Sequence, residues 1–512
     1  MNIVDYMSGK VNGVLETFDR MIINGYILQL CSSRQFQFYL TQSNVLLKDF
    51  SKFATRQTDS LCANIENYIK VNGVALQYLD KASTDKGELA KKKLSSSPGT
   101  VGLIAAFSVV ENCKTTTVTP NGGTKRLEII YRAAKCKHYY LYYNDSQFGF
   151  MFLRIQTWFP YTVQIYINGR EFLSKLMDKS GIKYTKRDNS FAFIEDYGKA
   201  QELADNVLKE KLSDSFDGMV VKINNLLPGI KKAINRSYYW CIDQCEFATD
   251  IGFKDRQELE SIYKTLVETT FFTFSSHDIY TFFGRRLDKI HAFTQGEITS
   301  DLRRRQQGYR VKFKINNNQI KMYDKGNNLR IEVTINNPKE FKILKVNEVA
   351  EDGKLVEKKK WIPMGKSIAN LYRYVEISRN IISRYIKALP EIDADKLPLK
   401  ELKNISCRKE VGDRSYSAIN IFNEETLKLF AIIASGEYLI KGFDNKALRK
   451  RVFSNGDSDY CVNKTTRLLS KLRVHGVIKK TPRKNRYYLT DNGRKIIGSV
   501  LLYANKSLLN TV

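Results

Sequence analysis

Residues 301–341 read DLRRRQQGYRVKFKINNNQIKMYDKGNNLRIEVTINNPKEF. After Arg303, Arg304 and Arg305, the residues Tyr309, Val311, Phe313 and Ile315 alternate with Arg310, Lys312 and Lys314. That period of two is the pattern of a strand with one face buried and one face wet. Asn316 to Asn318 fit a hairpin turn, and Ile320, Met322 and Tyr323 open a second strand. Gly326-Asn327-Asn328 turns the chain again, and Leu329 to Ile335 is a third strand. The spacing predicts a three-stranded antiparallel meander whose wet face carries Arg310, Lys312, Lys321, Arg330 and Glu332. The stretch holds ten basic and four acidic residues, so the sheet presents mostly positive charge. It suits a phosphate backbone, or it is an ordinary solvated face.

The charge bias extends to the whole chain. Eighty-three Lys and Arg face 54 Asp and Glu over 512 residues, a formal charge of +29. A surplus of that size draws in polyanions, and nucleic acid is the expected one. Hydrophobic residues make up 43%, which excludes a disordered composition. Twenty-nine Tyr and 28 Phe give rings that either pack or stack on bases. No apolar run is long enough to span a bilayer, and the first 30 residues lack a signal-peptide layout. Eight sparse cysteines are too few for a disulfide scaffold, and four scattered histidines do not make a zinc site. These points predict a reducing, cytoplasmic setting. Oligomeric state is not fixed by the sequence.

Punctuation and composition divide the chain into a mainly helical region (1–98), an α+β domain (99–209) and a helical region (210–300). The basic meander (301–345), a helix with a linker (346–418) and a C-terminal module (419–512) follow. The fold class expected is α+β and multidomain, with mixed and antiparallel sheets, helical insertions and a C-terminal winged-helix domain. Short strands are expected at Gly102–Val110, Arg126–Tyr131, His138–Tyr143, Met151–Gln156 and Thr162–Ile167. Arg154 and Gln156 share a strand face, and with Gln164 and Arg170 they form a polar patch beside Trp158. The patch fits either a nucleic-acid contact or an internal hydrogen-bond network. Trp240, Asp243, Glu246, Phe247 and Asp250 read as one helix. Its three acids then share a face and either hold a divalent metal through oxygen or pair with Arg236, Arg285 and Arg286. His277, beside Asp278 and a helix capped by Ser275 or Ser276, is the best-placed histidine for acid–base work. Residues 342–360 read as a charged connection.

The C-terminal module is the clearest part. Helices are expected at Asn423–Ala434, Asn445–Phe453 and about Asn463–Val474. A hairpin, Val477–Lys480 with Arg486–Leu489, flanks the basic loop Thr481-Pro482-Arg483-Lys484-Asn485, and a last helix starts at Thr490–Gly493. Three helices, a two-stranded wing and a closing helix resemble winged helix-turn-helix domains. The resemblance implies duplex DNA as partner, a third helix in the major groove and a wing on the flanking backbone. Lys464, Arg467, Lys471 and Arg473 on that helix, and Lys479, Lys480, Arg483, Lys484 and Arg486 on the wing, are then the DNA contacts. From residue 441 to 512 there are 17 basic and four acidic residues, so 17 − 4 = 13 of the +29 lie there. A second nucleic-acid surface is expected from Arg154, Gln156, Arg170, Arg303, Arg304, Arg305, Arg310, Lys312, Lys321, Lys325 and Arg330.

The strings at 102–113, 153–172 and 321–336 look like motifs of a family of uncharacterised bacterial proteins. A narrower likeness links IKMYDK and LRIEV to the YDK…RxE strand pair of plasmid rolling-circle replication initiators. It places Lys321, Tyr323, Asp324 and Lys325 on the first element and Arg330 and Glu332 on the second. The likeness implies metal-dependent strand transfer, with Tyr323, Asp324 and Glu332 as catalytic candidates; His277 joins them from its own position beside Asp278, not from the likeness. Asp243, Glu246 and Asp250 are the metal candidates, for Mg²⁺ or Mn²⁺. The paired-histidine motif of those initiators has no counterpart here, nor has a P-loop, a dinucleotide loop, HExxH or a serine elbow. Three functions remain open from sequence: DNA or RNA binding by shape and charge, a metal-dependent endonuclease or initiator, and a structural RNA-binding component of a nucleoprotein.

Overall fold

The computed structural model describes residues 7–97, 99–187, 189–274, 276–285, 298–305, 308–351, 354–389, 404–421, 423–435, 438, 442–453, 458–482 and 485–509. In chain order its first elements are β1 (Val11–Tyr26), α1 (Ser33–Gln42), α2 (Phe50–Val71), β2 (Leu76–Leu79), α3 (Lys86–Ser96), β3 (Gly102–Pro120) and β4 (Leu127–Asp145). Next come β5 (Gly149–Gln156), β6 (Val163–Asn168), α4 (Gly169–Lys179), β7 (Tyr184–Lys186), β8 (Phe191–Ile194), α5 (Tyr197–Val207), α6 (Leu212–Ile223), α7 (Leu227–Ile234) and β9 (Tyr239–Phe253). Then follow α8 (Arg256–Thr273), α9 (Ser276–Phe282), β10 (Ile298–Arg305), β11 (Gly308–Ile315), β12 (Asn318–Asp324), β13 (Asn328–Ile335), β14 (Lys342–Glu351), β15 (Lys354–Pro363) and α10 (Leu371–Ala388). The last are β16 (Lys409–Val411), β17 (Arg414–Tyr416), α11 (Glu424–Ile433), α12 (Asn445–Val452), α13 (Asp459–Val474), β18 (Ile478–Lys480), β19 (Tyr487–Leu489) and α14 (Asp491–Leu509). The architecture is α+β.

Two compact units divide the chain. An N-terminal unit holds Glu16–Phe247 and Thr334–Ile377, and a C-terminal unit holds Met1–Leu15, Ala248–Val333 and Ser378–Val512. The strands β1, β9 and β13 are each cut by the division.

In the N-terminal unit the sheet runs β1-β6-β5-β4-β3-β2, antiparallel throughout except for the parallel β2–β3 pair. The N-terminal region was expected to be mainly helical, yet β1 is a 16-residue strand. Its odd positions Leu15, Thr17, Asp19, Met21 and Ile23 are buried, a period of two that polar Asp19 and Thr17 obscure in the sequence. The strands expected at 126–131 and 138–143 are one continuous strand, β4, paired with β3 from Gly102 to Pro120. Phe36, Tyr39, Phe50 and Phe53 from α1 and α2 pack round Phe159, with ring centroids 5.1–6.4 Å apart. Residues 342–360 are not a connection: β14 and β15 pair over ten positions as a separate two-stranded ribbon.

The expected helix through Trp240–Asp250 is the strand β9. From Cys245 onward every residue of β9 is buried, so the alternation that marks a half-wet strand is missing and the run imitates a helix.

In the C-terminal unit the meander exists and has one strand more than expected. Arg303–Arg305 belong to β10, which pairs with β11, and the order continues β11-β12-β13. Helices cover it: Phe274, Phe282 and Phe313 surround Tyr385 of α10 at 5.3–6.3 Å. The expected wet face is largely not wet. Every residue of β13 is buried, including Arg330 and Glu332.

Candidate nucleic-acid interface

The C-terminal module is a winged-helix-like cluster inside the C-terminal unit. Leu429, Phe430 and Ile433 of α11, Leu448 of α12, Leu469 and Leu472 of α13 and Ile496, Ile497 and Val500 of α14 form one core. Asn423, Asp444 and Ser458 cap α11, α12 and α13 by accepting from Glu425 N (2.8 Å), Ala447 N (2.7 Å) and Cys461 N (3.4 Å). Each cap satisfies an amide that the first helical turn leaves unpaired. The hairpin β18–β19 pairs Ile478 with Leu489 and Lys480 with Tyr487, and Phe443 adds an isolated antiparallel bridge to Tyr487. Gly493 lets α14 start beside the wing: a Cβ there would lie 2.0 Å from the Val477 carbonyl oxygen.

This packing fixes which side of α13 faces water. Cys461, Thr465, Leu469 and Leu472 point inward, while Tyr460, Asn463, Thr466, Arg467 and Arg473 are exposed. Tyr460 is 70% exposed. Lys464 is held over the rings of Phe453 and Tyr460, at 5.3 and 5.9 Å. Lys471 is half-buried, and burial holds its ammonium below the usual lysine range. Of the four cations expected on this helix, Arg467 and Arg473 therefore stand out into water, and Lys464 and Lys471 are partly sequestered. Lys446, Lys450 and Arg451 of α12 and Lys479, Lys480 and Arg486 of the wing are also exposed. Among the described residues no ion pair engages Arg467, Arg473, Lys479 or Lys480. Arg483 and Lys484 lie outside the described residues. The helix of 16 residues is about 24 Å long, and an α-helix about 10–12 Å across fits a major groove.

The residues expected to form a second basic surface are mostly buried or internally paired. Arg154 pairs with Glu111 at 3.0 Å. Gln156 is buried, and its amide donates to the carbonyls of Lys114 and Trp158. Arg170 is fully buried 3.7 Å from Asp19. In the meander, Asp301 gathers Arg303 (2.9 Å), Arg310 (3.0 Å) and Lys312 (3.6 Å). Burial lowers the Lys312 pKa despite that acid. Arg304 and Arg305 have side chains outside the described set. Lys325 lies 6.0 Å from the Tyr323 ring.

The residues of the YDK…RxE likeness form a buried charge network. The Arg330 guanidinium donates twice to Asp250, at 2.6 and 2.8 Å, and lies 5.9 Å from the Tyr323 ring. Lys321 pairs with Glu332 at 2.5 Å, and the Tyr323 hydroxyl donates to the same carboxylate. Burial pushes the Glu332 carboxyl up, but the charge and hydrogen bond of Lys321, the Tyr323 hydroxyl and the Arg330 charge hold it below the usual range. Asp324 accepts from Arg256 at 2.6 Å. His277 begins α9, with its side chain outside the described set.

The three acids expected on one helix face go to three separate ion pairs. Asp243 meets Lys366 at 2.9 Å, Glu246 meets Arg20 at 2.6 Å, and Asp250 meets Arg330. Arg236, Arg285 and Arg286 are not the partners in these bonds; Arg286 lies outside the described residues. In their place, the N-terminal unit brings Glu246 together with Asp19, both buried, their carboxylate oxygens within 4.8 Å. Asn189 and Asn168 donate to Asp19 at 2.5 and 3.4 Å, and Gln244 donates to Glu246 at 3.1 Å. Gly169 lets the start of α4 close on β1 beside Asp19: a Cβ there would lie 2.0 Å from the Phe18 carbonyl oxygen. Two hard carboxylates of this kind suit Mg²⁺ or Mn²⁺. Asp19 is the acid that sequence reasoning missed, because β1 was read as helix.

A second unforeseen cluster lies on β3 and β4. Cys113 Sγ is 2.7 Å from Cys136 Sγ, and His138 Nδ1 is 3.9 Å from the latter. The donors suit a soft metal, but two sulfurs on one tetrahedral zinc stand about 3.7 Å apart given bonds of about 2.3 Å. As arranged, the cluster is a thiol–thiol contact. The Cys136 hydrogen bond pulls the Cys113 thiol down to about 5, and that of Cys136 is pushed up. These cysteines are 23 residues apart, so strand register alone unites them.

No helix among the described residues is long and apolar enough to cross a membrane. The chain matches no protein-family profile, no curated protein and no solved structure.

Proposed function

We propose that this protein binds duplex DNA through its C-terminal winged-helix-like module, with α13 in the major groove and the β18–β19 wing on the adjoining backbone. The observation that carries the reading is the solvent-facing set Arg467, Arg473, Lys479 and Lys480, none ion-paired among the described residues. Cations left unpaired on a rigid helix and hairpin are free to replace counterions on phosphates. Asn463, exposed on the same side of α13, supplies a donor and an acceptor for base edges. Fluorescence anisotropy of a labelled duplex across a KCl series tests this. Replacing Arg467 and Arg473 together by Ala lowers the salt slope by roughly 2 if both touch phosphate. An unchanged slope and affinity would remove α13 from the interface.

A second reading, metal-dependent phosphodiester cleavage, is favoured by the buried Asp19–Glu246 pair. Here the two carboxylates hold Mg²⁺ or Mn²⁺, while Arg20 and Arg170 offset their charge. Plasmid DNA and structured RNA incubated with either ion, using wild type and Glu246→Gln, separate the readings. Cleavage lost in the variant supports the second; no product with either substrate leaves binding alone.

A further inference from the structure

The basic surface expected on the meander is largely consumed by internal ion pairs, yet an exposed basic and aromatic surface exists elsewhere. The ribbon β14–β15 makes a sheet of its own, with ten paired positions and so a length of about 34 Å. At its base, directly opposed residues share a face. Leu344 faces Trp361, Val346 faces Lys359 and Lys342 faces Pro363 on one side. Ile343 with Ile362 and Lys345 with Lys360 lie on the other.

Trp361 is 63% exposed, Val346 47% and Leu344 38%. Lys342 and Lys359 are exposed on that face and Lys345 and Lys360 on the other, and residues 342–346 and 359–363 include no acid. The other two tryptophans serve the interior: Trp158 donates to the Thr116 carbonyl and Trp240 to Asp217, each at 2.9 Å. An indole placed in water beside apolar neighbours, with Lys342 and Lys359 on its own face, is the chemistry of a base-stacking platform with phosphate contacts. A duplex keeps its base faces stacked inside, so a flat ring on a ribbon has more to gain from unpaired bases.

We propose that the base of the β14–β15 ribbon binds single-stranded nucleic acid, with Trp361 stacking on a base and Lys342 and Lys359, on the same face, on the phosphates. This rests on the reading of the protein as a nucleic-acid binder but not on the winged-helix-like module.

The test uses the full chain with three labelled probes: a 20-nucleotide oligo(dT), a 20-nucleotide oligo(U) and a 20-base-pair duplex. Trp361→Ala is expected to weaken binding to the single-stranded probes by about ten-fold. Duplex affinity should stay within about two-fold, and Trp361→Phe should retain most of the single-strand affinity. Lys342→Ala with Lys359→Ala should lower the oligo(dT) salt slope by about 1.4. The ratio of oligo(dT) to oligo(U) affinity identifies the sugar. Single-strand affinity unaffected by Trp361→Ala, or a parallel loss on duplex, overturns the proposal. Duplex binding without single-strand binding defeats the ribbon and spares the winged-helix-like module; the converse spares the ribbon and defeats that module.

Discussion

Arg330 is fully buried, and both of its bonds to Asp250 run through one planar guanidinium. Removing that group strands a buried carboxylate, so Arg330→Ala should cost about 3–5 kcal/mol in urea unfolding. A loss below about 1 kcal/mol would mean that Asp250 finds water or another cation. Glu332 carries a pH signature. Its folded pKa lies below its unfolded one, so its stabilisation is complete above the unfolded value of about 4.3 and is lost as pH falls through the lower folded value. Glu332→Gln should therefore flatten the acid limb of the Tm–pH curve below about pH 4.3. A limb as steep as in wild type would deny Glu332 that role. Cys113 adds a chemical test. Its thiol, held well below the ordinary thiol range by the Cys136 hydrogen bond, should reach a flat iodoacetamide rate at a lower pH than an ordinary thiol, which gains rate up to about 8.5. A rate still climbing at pH 8 would show an unperturbed thiol. At this scale the sequence picked out Arg330, Glu332 and Asp250 as special, and in the fold Arg330 pairs with Asp250 and Glu332 with Lys321. It did not reveal that they are buried, because a charged residue in a strand looks alike on a wet face and in a paired interior.

At the scale of elements, the local signals worked where one face of an element is wet. The α13 stripe Thr465, Leu469, Leu472 and the β11 alternation Val311, Phe313, Ile315 both follow that rule. Glycine punctuation worked too. The stop at Gly476 and the start at Gly493 bracket the wing as expected. Gly493→Ala should destabilise the C-terminal module by more than the ordinary helix gain of about 1 kcal/mol for replacing Gly, because the new methyl meets the Val477 carbonyl. Thermal unfolding and duplex affinity should fall together in that variant. A stabilised protein would mean that α14 shifts freely. Local signals failed at β1, where Asp19 and Thr17 occupy inward positions, and at β9, which is buried on both faces. They failed again at β14–β15, where two lysine-rich strands that pair with each other in a sheet of their own resemble a linker.

For the whole molecule, +29 charges imply attraction to any polyanion, and the salt response separates a docked interface from a diffuse cloud. Two to four phosphate contacts give a roughly ten- to hundred-fold fall in duplex affinity between 50 and 200 mM salt. Heparin should compete at low salt and lose its effect as salt rises. Duplex binding indifferent to salt would exclude a phosphate-based interface altogether. The sequence by itself determined the charge surplus, its concentration past residue 441, the α+β class and the helix–hairpin order of the C-terminal module. Each of these depends on composition or on neighbours a few residues apart. Tertiary structure alone decided which cations remain free. Arg154, Arg310 and Arg330 met carboxylates brought from 43, 9 and 80 residues away, whereas Arg467 and Arg473 met none among the described residues. Pairing over such separations is set by strand order and register, which no local pattern of residues encodes.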